Sequence, residues 1–411
     1  MTAINPKQEI LIVGGGMVGL SLALMLAKQN IATTLIESVQ YPALDAINAP
    51  YHSSFDARNT ALSRRSVQIY QDLGLWQHLQ KHATPIHQVH ISEMGGFGKA
   101  RLVREEEQVE SFGQVLENAW LGRVLLKEVL NQPLINLIDG AKVTALSQDN
   151  HSVQISYEKN QQSHHLTASL LIACDGRDSF CRQALGVGVD VVDYQQVAMI
   201  TAVQTSKPHQ HIGYERFSPL GPLALLPLSD GEQQNSRRRS VVWIAKKGEE
   251  HLWLGEENDA KFLTALQDTY GHRAGKFEKT AKRHCYDLQQ VLAHKQAVGR
   301  VVLMGNAAHT LHPVAGQGFN LCLRDAVVLV RYLQHQVQHE QDVGNAEMLK
   351  QYEQERLDDQ KRVILFCDQV VKNFSHQRPI SKLLRNMSLL AFDAIPKVKP
   401  MVANFAMGLK V

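Results

Sequence analysis

Cysteine is scarce in this chain of 411 residues, and the five present (Cys174, Cys181, Cys285, Cys322 and Cys367) form no Cys-x-x-Cys pair. That spacing excludes zinc ribbons and a disulfide framework and points to a reduced compartment. Long apolar runs are missing too. No stretch approaches the roughly 20 residues needed to cross a bilayer. Near the N-terminus the apolar run Ile10–Val13 is a strand's length and leads into glycines, unlike a secretory leader. A cytoplasmic protein is expected, at most peripheral at the inner face of a membrane. Nor is one sign of charge in excess: 43 Lys+Arg stand against 40 Asp+Glu. Without a basic surplus or an RNA-binding signature, nucleic acid is excluded as a partner. The apolar and charged fractions, 44% and 20%, are those of a globular protein with two to three domains' worth of core.

What is present begins at residue 10. Ile10–Val13 reads as a buried strand, Gly14-Gly15-Gly16-Met17-Val18-Gly19 as a turn, and Leu20, Ala23, Leu24 and Ala27 as one face of a helix. A second strand, Thr33–Ile36, ends on Glu37. This is a GxGxxG turn in strand–turn–helix context. Gly14 permits the tight turn, Gly16 lets backbone approach a pyrophosphate, and Gly19 lets helix and strand pack closely. Glu37 is placed to accept ribose hydroxyls and repels a 2′-phosphate, so the dinucleotide is FAD or NAD rather than NADP.

Two further stretches follow the same pattern of apolar strand, glycine turn and helix. Ala168–Ala173 runs into Asp175-Gly176, with Ser179 as a helix N-cap and Arg182 beyond. Val301–Met304 runs into Gly305-Asn306, then a loop with Pro313, Gly316 and Gly318, then a helix after Phe319 and Asn320. Arg58 stands alone among small and polar residues before a helix that stops at Gly74; its guanidinium suits a phosphate or a surface carboxylate.

Between 190 and 290 strand-like runs dominate, including the apolar, proline-bracketed Gly221–Leu228, suited to covering an oily ligand. Arg237-Arg238-Arg239 reads as a solvated hairpin tip. His309 and His312 are spaced as HxxH without a third ligand nearby, so no metal is expected. From about 345 the chain is helical and charged. Leu383-Leu384, Met387–Phe392 and Pro396–Phe405 mix apolar residues with lysines such as Lys397, Lys399 and Lys410, a composition suited to a lipid surface, a partner or the protein's own core.

Three fingerprints in this order resemble those of the group A flavoprotein monooxygenases. Closer stretches, Phe55–Ser63 (FDARNTALS), Glu215–Gly231 (ERFSPLGPLALLPLSDG) and Gly305–Asn320 (GNAAHTLHPVAGQGFN), are similar to the ubiquinone-pathway hydroxylases, above all the 2-polyprenyl-6-methoxyphenol hydroxylases. Asn306 departs from the superfamily's usual aspartate, though that branch tolerates it. The resemblance implies an α/β fold: a Rossmann-like FAD-binding domain from 1–185 and 290–345, an inserted mixed-sheet substrate domain at 186–289, and a helical C-terminal region at 346–411. It implies FAD as cofactor, NADPH or NADH as reductant and O2 as cosubstrate. The FAD site would comprise Gly14, Gly16, Met17, Gly19 and Glu37; Arg58 on the pyrophosphate; Arg123, within a helical pattern at 112–130, on the ribityl chain; Asp175; and Gly305, Asn306, Pro313, Gly316, Gly318, Phe319 and Asn320. His312 or Tyr214 would assist phenol deprotonation. The expected substrate is a hydrophobic prenylated phenol, and the expected partners are other ubiquinone-biosynthesis proteins. A sister hydroxylase acting at another ring position, an FAD-dependent isoprenoid reductase on the same fold and a flavin-bearing structural subunit are the alternatives.

Overall fold

The computed structural model describes residues 9–51, 58–231, 235–375, 386–387 and 398–409. Phe55–Ala57, Leu383-Leu384, Phe392, Pro396, Lys397 and Lys410, all singled out in the sequence, lie outside the described residues.

The strand Ile10–Val13 sits inside a six-stranded sheet. Its parallel neighbours are Thr33–Ile36 on one side and Leu170–Ala173 on the other. Ile135–Ile138 extends the sheet beyond the first and Val301–Leu303 beyond the second, with Ala297–Val298 as an antiparallel edge. These runs are apolar throughout because both faces are covered. Ile10 and Ile12 pack among the helices Met17–Lys28, Asn118–Asn131 and Gln317–Gln338. Leu11 and Val13 point the other way, into a three-stranded antiparallel layer built from 142–148, 153–159 and 162–168. The helical pattern at 112–130 begins later than expected. Gly113–Glu117 is a strand paired with Asn59–Ser63, and the helix starts only at Asn118.

The second large sheet has nine strands. It is not confined to 186–289: Gln88–Glu93 pairs parallel with Ile212–Ser218, Lys99–Val103 adds beyond it, and His309–Thr310 joins the opposite edge. One face, with Met199, Val203, Leu223, Leu225, Val241 and Trp243, packs on the helix Asp259–Tyr270. The other carries Ala198, Ile200, Val242 and Ile244 with Tyr194 against them.

The arginine run is not a solvated tip. Only Arg237 is exposed, whereas Arg238 and Arg239 are 6% and 2% accessible. Arg238 Nη2 donates to Glu117 Oε1 at 2.9 Å and Nη1 to Ser229 O at 2.6 Å. The Arg239 guanidinium lies 5.8 Å from the Tyr214 ring. The partners that make this burial tolerable are distant in sequence, so the local run gave no sign of it.

Candidate active site

The first glycine turn divides its labour among three residues. Gly14 has φ of +107°, and a Cβ there would lie 2.4 Å from Cys174 O. A Cβ on Gly19 would lie 1.9 Å from Gly14 O, so the helix packs this closely on the turn only because residue 19 is glycine. Gly16 is different: a Cβ there meets nothing within 4 Å. Its bare backbone faces open space as the N-cap of Met17–Lys28, where the first amides lack intrahelical partners. Met17 is half-buried against the core, its carbonyl taken by Ser21 Oγ at 2.6 Å. Glu37 Oε2 accepts from Gly15 N at 2.6 Å and Oε1 from Val39 N at 2.8 Å, which fixes the carboxylate at the end of the second strand.

Two other strand ends converge beside this turn. Cys174 N donates to Val13 O at 2.6 Å, and Met304 N to Ala173 O at 2.9 Å. Asp175 Oδ2 accepts from Cys181 N at 3.0 Å, while its Oδ1 is buried without a hydrogen-bond partner among the described residues. The expected Ser179 cap is present, accepting from Arg182 N at 2.9 Å. Gly305 has φ of +65° and packs on Val18 of the first helix. Asn306 follows with an exposed side chain.

The loop from 311 to 318 closes the site. Pro313 O accepts from Gly316 N at 2.9 Å, and Gly316, at φ of +60°, caps the Gln317–Gln338 helix. Gly318 has open space where a side chain would be, and Phe319 packs into the helical core. Asn320 plays another part than the one expected. Its Oδ1 accepts from Ser63 N and Ser66 Oγ, and its Nδ2 donates to Ala61 O and Gly316 O, all at 2.7 to 2.9 Å. That exhausts an amide's hydrogen-bonding capacity and leaves none for a cofactor.

Arg58 is exposed, and its side chain makes no hydrogen bond or ion pair among the described residues. Its carbonyl accepts from Asn118 N at 3.1 Å, anchoring it beside the helix that carries Arg123. Arg123 is already engaged: it donates to Ala49 O and lies over the rings of Tyr51 and Trp120 at 5.7 and 5.9 Å.

His312 is 1% accessible, with Nδ1 accepting from Val314 N at 3.3 Å and Nε2 without a hydrogen-bond partner among the described residues. Burial lowers it to about 4, so the ring is neutral near pH 7. Its edge meets Tyr194, 5.0 Å between centroids, and the Tyr194 hydroxyl is also buried without a hydrogen-bond partner among the described residues. A cavity of about 270 Å³ opens here, bounded by Tyr194, Gln196, Pro222 and Ile244. Tyr194 was missed in the sequence, where nothing marks it. Tyr214, by contrast, is not brought to this site. It faces Tyr270 and His90, at 5.1 and 5.2 Å, on the helix-covered side of the sheet.

His309 does not pair with His312 around an ion. Its Nε2 lies 2.6 Å from Asp325 Oδ2, both residues are about 2% accessible, and Arg356 Nε donates to Asp325 Oδ1 at 2.6 Å.

The family described as FAD binding domain matches residues 7–366. The chain belongs to that family. Among curated relatives of this FAD-binding chain is the ubiquinone hydroxylase UbiL of Rhodospirillum rubrum, 29% identical over 97% of this chain and 89% of that one. The 3-demethoxyubiquinol 3-hydroxylase of Escherichia coli is 29% identical over 98% and 100%. Solved structures with this fold include p-nitrophenol 4-monooxygenase PnpA of Pseudomonas putida, with TM-score 0.77, 18% identity and 98% of each chain covered. Klebsiella pneumoniae HpxO, complexed with FAD and uric acid, has TM-score 0.73, 17% identity and 97% of each chain covered. The expected fold class is therefore correct. FAD is the cofactor, and the enzyme class is the NAD(P)H- and O2-dependent flavoprotein monooxygenases. The residues present fit the group: open space at Gly16 and Gly318, free helix N-terminal amides, and the orphaned Asp175 Oδ1.

Proposed function

We propose that this FAD-dependent monooxygenase of ubiquinone biosynthesis hydroxylates a polyprenylated methoxyphenol at the para position, giving 2-polyprenyl-6-methoxy-1,4-benzoquinol. The observation that carries the reading is the meeting of the glycine loop with an almost wholly apolar sheet face. Ala198, Ile200, Val242 and Ile244 line that face; Tyr194, His312 and Gln196 bring polar atoms to one edge, and Ser240 and Glu215 stand further along it. Such a wall suits an oily ring with one or two hydroxyls. When bound, FAD reduced by NADPH or NADH supplies the oxygen from O2. The chain's own part is to hold the dinucleotide through Gly14, Gly16, Met17, Gly19, Glu37, Arg58, Asp175, Gly305 and Asn306, to shape the loop through Pro313, Gly316, Gly318 and Phe319, and to keep water from the ring.

The names of the relatives support ubiquinone biosynthesis, and the stretches 215–231 and 305–320 support the para position. A second reading, oxidation at another ring position, is favoured by the Escherichia coli relative, whose name is a 3-hydroxylase and whose full length is matched. No helix among the described residues is long and apolar enough to cross a membrane. We therefore assign delivery of the lipid substrate to a membrane surface or to other ubiquinone-biosynthesis proteins, which co-sedimentation with liposomes and pathway proteins tests.

Mass spectrometry of quinone intermediates in cells lacking the protein tests the reaction. Accumulated prenylated 6-methoxyphenol, cleared by wild type and not by Gly16→Trp, upholds the proposal. A different accumulated intermediate moves the reaction to another position, and an undisturbed quinone pool overturns it.

A further inference from the structure

Neighbouring residues on one strand point to opposite faces of the large sheet. Tyr214 packs on Tyr270, and Arg216 Nε donates to Thr269 O at 2.7 Å, so both belong to the helix-covered side. Glu215, between them, belongs to the other. Register sets it in a row with Ala224, Val242 and Ile200, and its neighbour on the far side is Ile91. The same face holds Ser240, whose Oγ accepts from Asn59 Nδ2 at 3.2 Å, and it packs on Tyr194, which meets His312. It is thus the face turned toward the glycine loop.

Glu215 is half-buried and makes no hydrogen bond or ion pair among the described residues. Burial alone pushes its carboxyl up to about 7. The other ionisable groups of this face are engaged or distant. Glu93 accepts from Asn386 Nδ2 at 2.6 Å, Arg238 is tied to Glu117, and Lys399, on the nearby C-terminal helix, is tied to Glu106. Lys246 stands at the exposed end of its strand, and His312 and Tyr194 lie at the opposite edge. A solitary carboxyl in an apolar wall is disfavoured unless a ligand pairs with it, which is why such groups mark functional sites.

We propose that Glu215 is the residue that receives the ring hydroxyl of the substrate, first as hydrogen-bond acceptor and then as proton acceptor. This rests on the phenol hydroxylase reading above. The O–H bond breaks, its proton passes to the Glu215 carboxylate, and its electron pair stays on the ring oxygen. The enriched ring then takes one oxygen atom of O2. The carbon that bonds this oxygen gives up its hydrogen as a proton to solvent, which restores the aromatic ring, and Glu215 returns its proton to the ring oxygen as the quinol departs. The second oxygen atom leaves as water, with NAD(P)H supplying the two electrons and one proton and solvent the other. The carboxylate must be ionised to act, so turnover is lost as pH falls through about 7.

The test uses the full-length, FAD-loaded protein with a short-chain prenylated 2-methoxyphenol, NADPH and O2. Glu215→Gln keeps its FAD, loses about a hundredfold in kcat and has a flat pH profile below 8, and a more acidic, ring-fluorinated phenol restores part of the loss. A FAD-loaded Glu215→Gln variant with wild-type kcat and pH profile overturns the proposal. Failure of wild type to hydroxylate any methoxyphenol overturns the substrate reading instead. Phenol binding, followed through the flavin absorbance, then decides on Glu215. A Kd weakened about tenfold by Glu215→Leu upholds the assignment, and an unchanged Kd overturns it.

Discussion

Asn320 Oδ1 accepts the backbone N–H of Ser63 at 2.8 Å, joining segments 257 residues apart. The same side chain holds Ser66, Ala61 and Gly316, so one buried amide ties the glycine loop to the strand that follows Arg58.

Asn320→Ala strips all four hydrogen bonds and leaves Ser63 N and the two carbonyls short of partners in a dry setting. A loss of about 2–4 kcal/mol is expected. Because the loop also shapes the cofactor site, FAD occupancy falls although the side chain has no bond to spare for it. Thermal melts of apo and FAD-loaded protein check this: the apo form must lose stability. A loss confined to the loaded form would make Asn320 a direct ligand instead.

The contrast between what the sequence discloses and what it hides lies in the range of the interactions. Gly14, Gly16 and Gly19 act within six residues of one another, so their separate duties are legible in the sequence itself. The apolar strands declared themselves because burial on both faces needs no partner to be named. Asn320 was expected at the cofactor because its motif is there, but its bonds lead to residues 61–66. Tyr214 and Glu215 differ by one position, and which of them faces the loop depends on the pairing of a strand with 88–93 that no local pattern announces. Arg238 and Arg239 looked solvated because Glu117 and Tyr214 are remote in sequence.

Gly16 and Gly19 separate cofactor binding from folding. Gly16→Ala adds a methyl that touches no atom of the described residues, so the apo melting temperature stays within about 2 °C, since a site without a contact costs little. FAD affinity falls by about tenfold or more, as a pyrophosphate approaching that backbone meets the methyl instead. Gly19→Ala drives a Cβ against Gly14 O and costs on the order of 3 kcal/mol before any cofactor is considered. Flavin absorbance after gel filtration and apo melts distinguish the two. Equal losses in both assays for both variants would remove the division of labour.

Tyr214→Phe tests the direction of a strand. The ring stacks edge-on with Tyr270 among buried side chains on the helix-covered face, so removing its hydroxyl disturbs that packing by about 1 kcal/mol. Hydroxylation rates remain within about threefold of wild type, because a loss that small, away from the reacting ring, changes no group in contact with it. A drop of two orders of magnitude in kcat with FAD retained would return Tyr214 to the active site.

His312 makes the closing loop acid-sensitive. Burial holds its folded value at about 4, against about 6.5 in an unfolded chain. Between those values the unfolded chain takes up a proton that the folded one refuses. The stability held by neutral His312 is therefore complete above about pH 6.5 and is lost as pH falls toward 4. The full shift corresponds to about 3 kcal/mol. His87 and His90 are lowered to about 4 with the same sign, so wild type shows their slopes as well. The difference between wild type and His312→Phe isolates the one ring: the variant loses less stability between pH 7 and 5, as read by urea denaturation at each pH. Parallel curves for the two proteins would mean that His312 takes up its proton in the fold as readily as in the unfolded chain, and with it the dry, uncharged wall beside Tyr194 would be wrong.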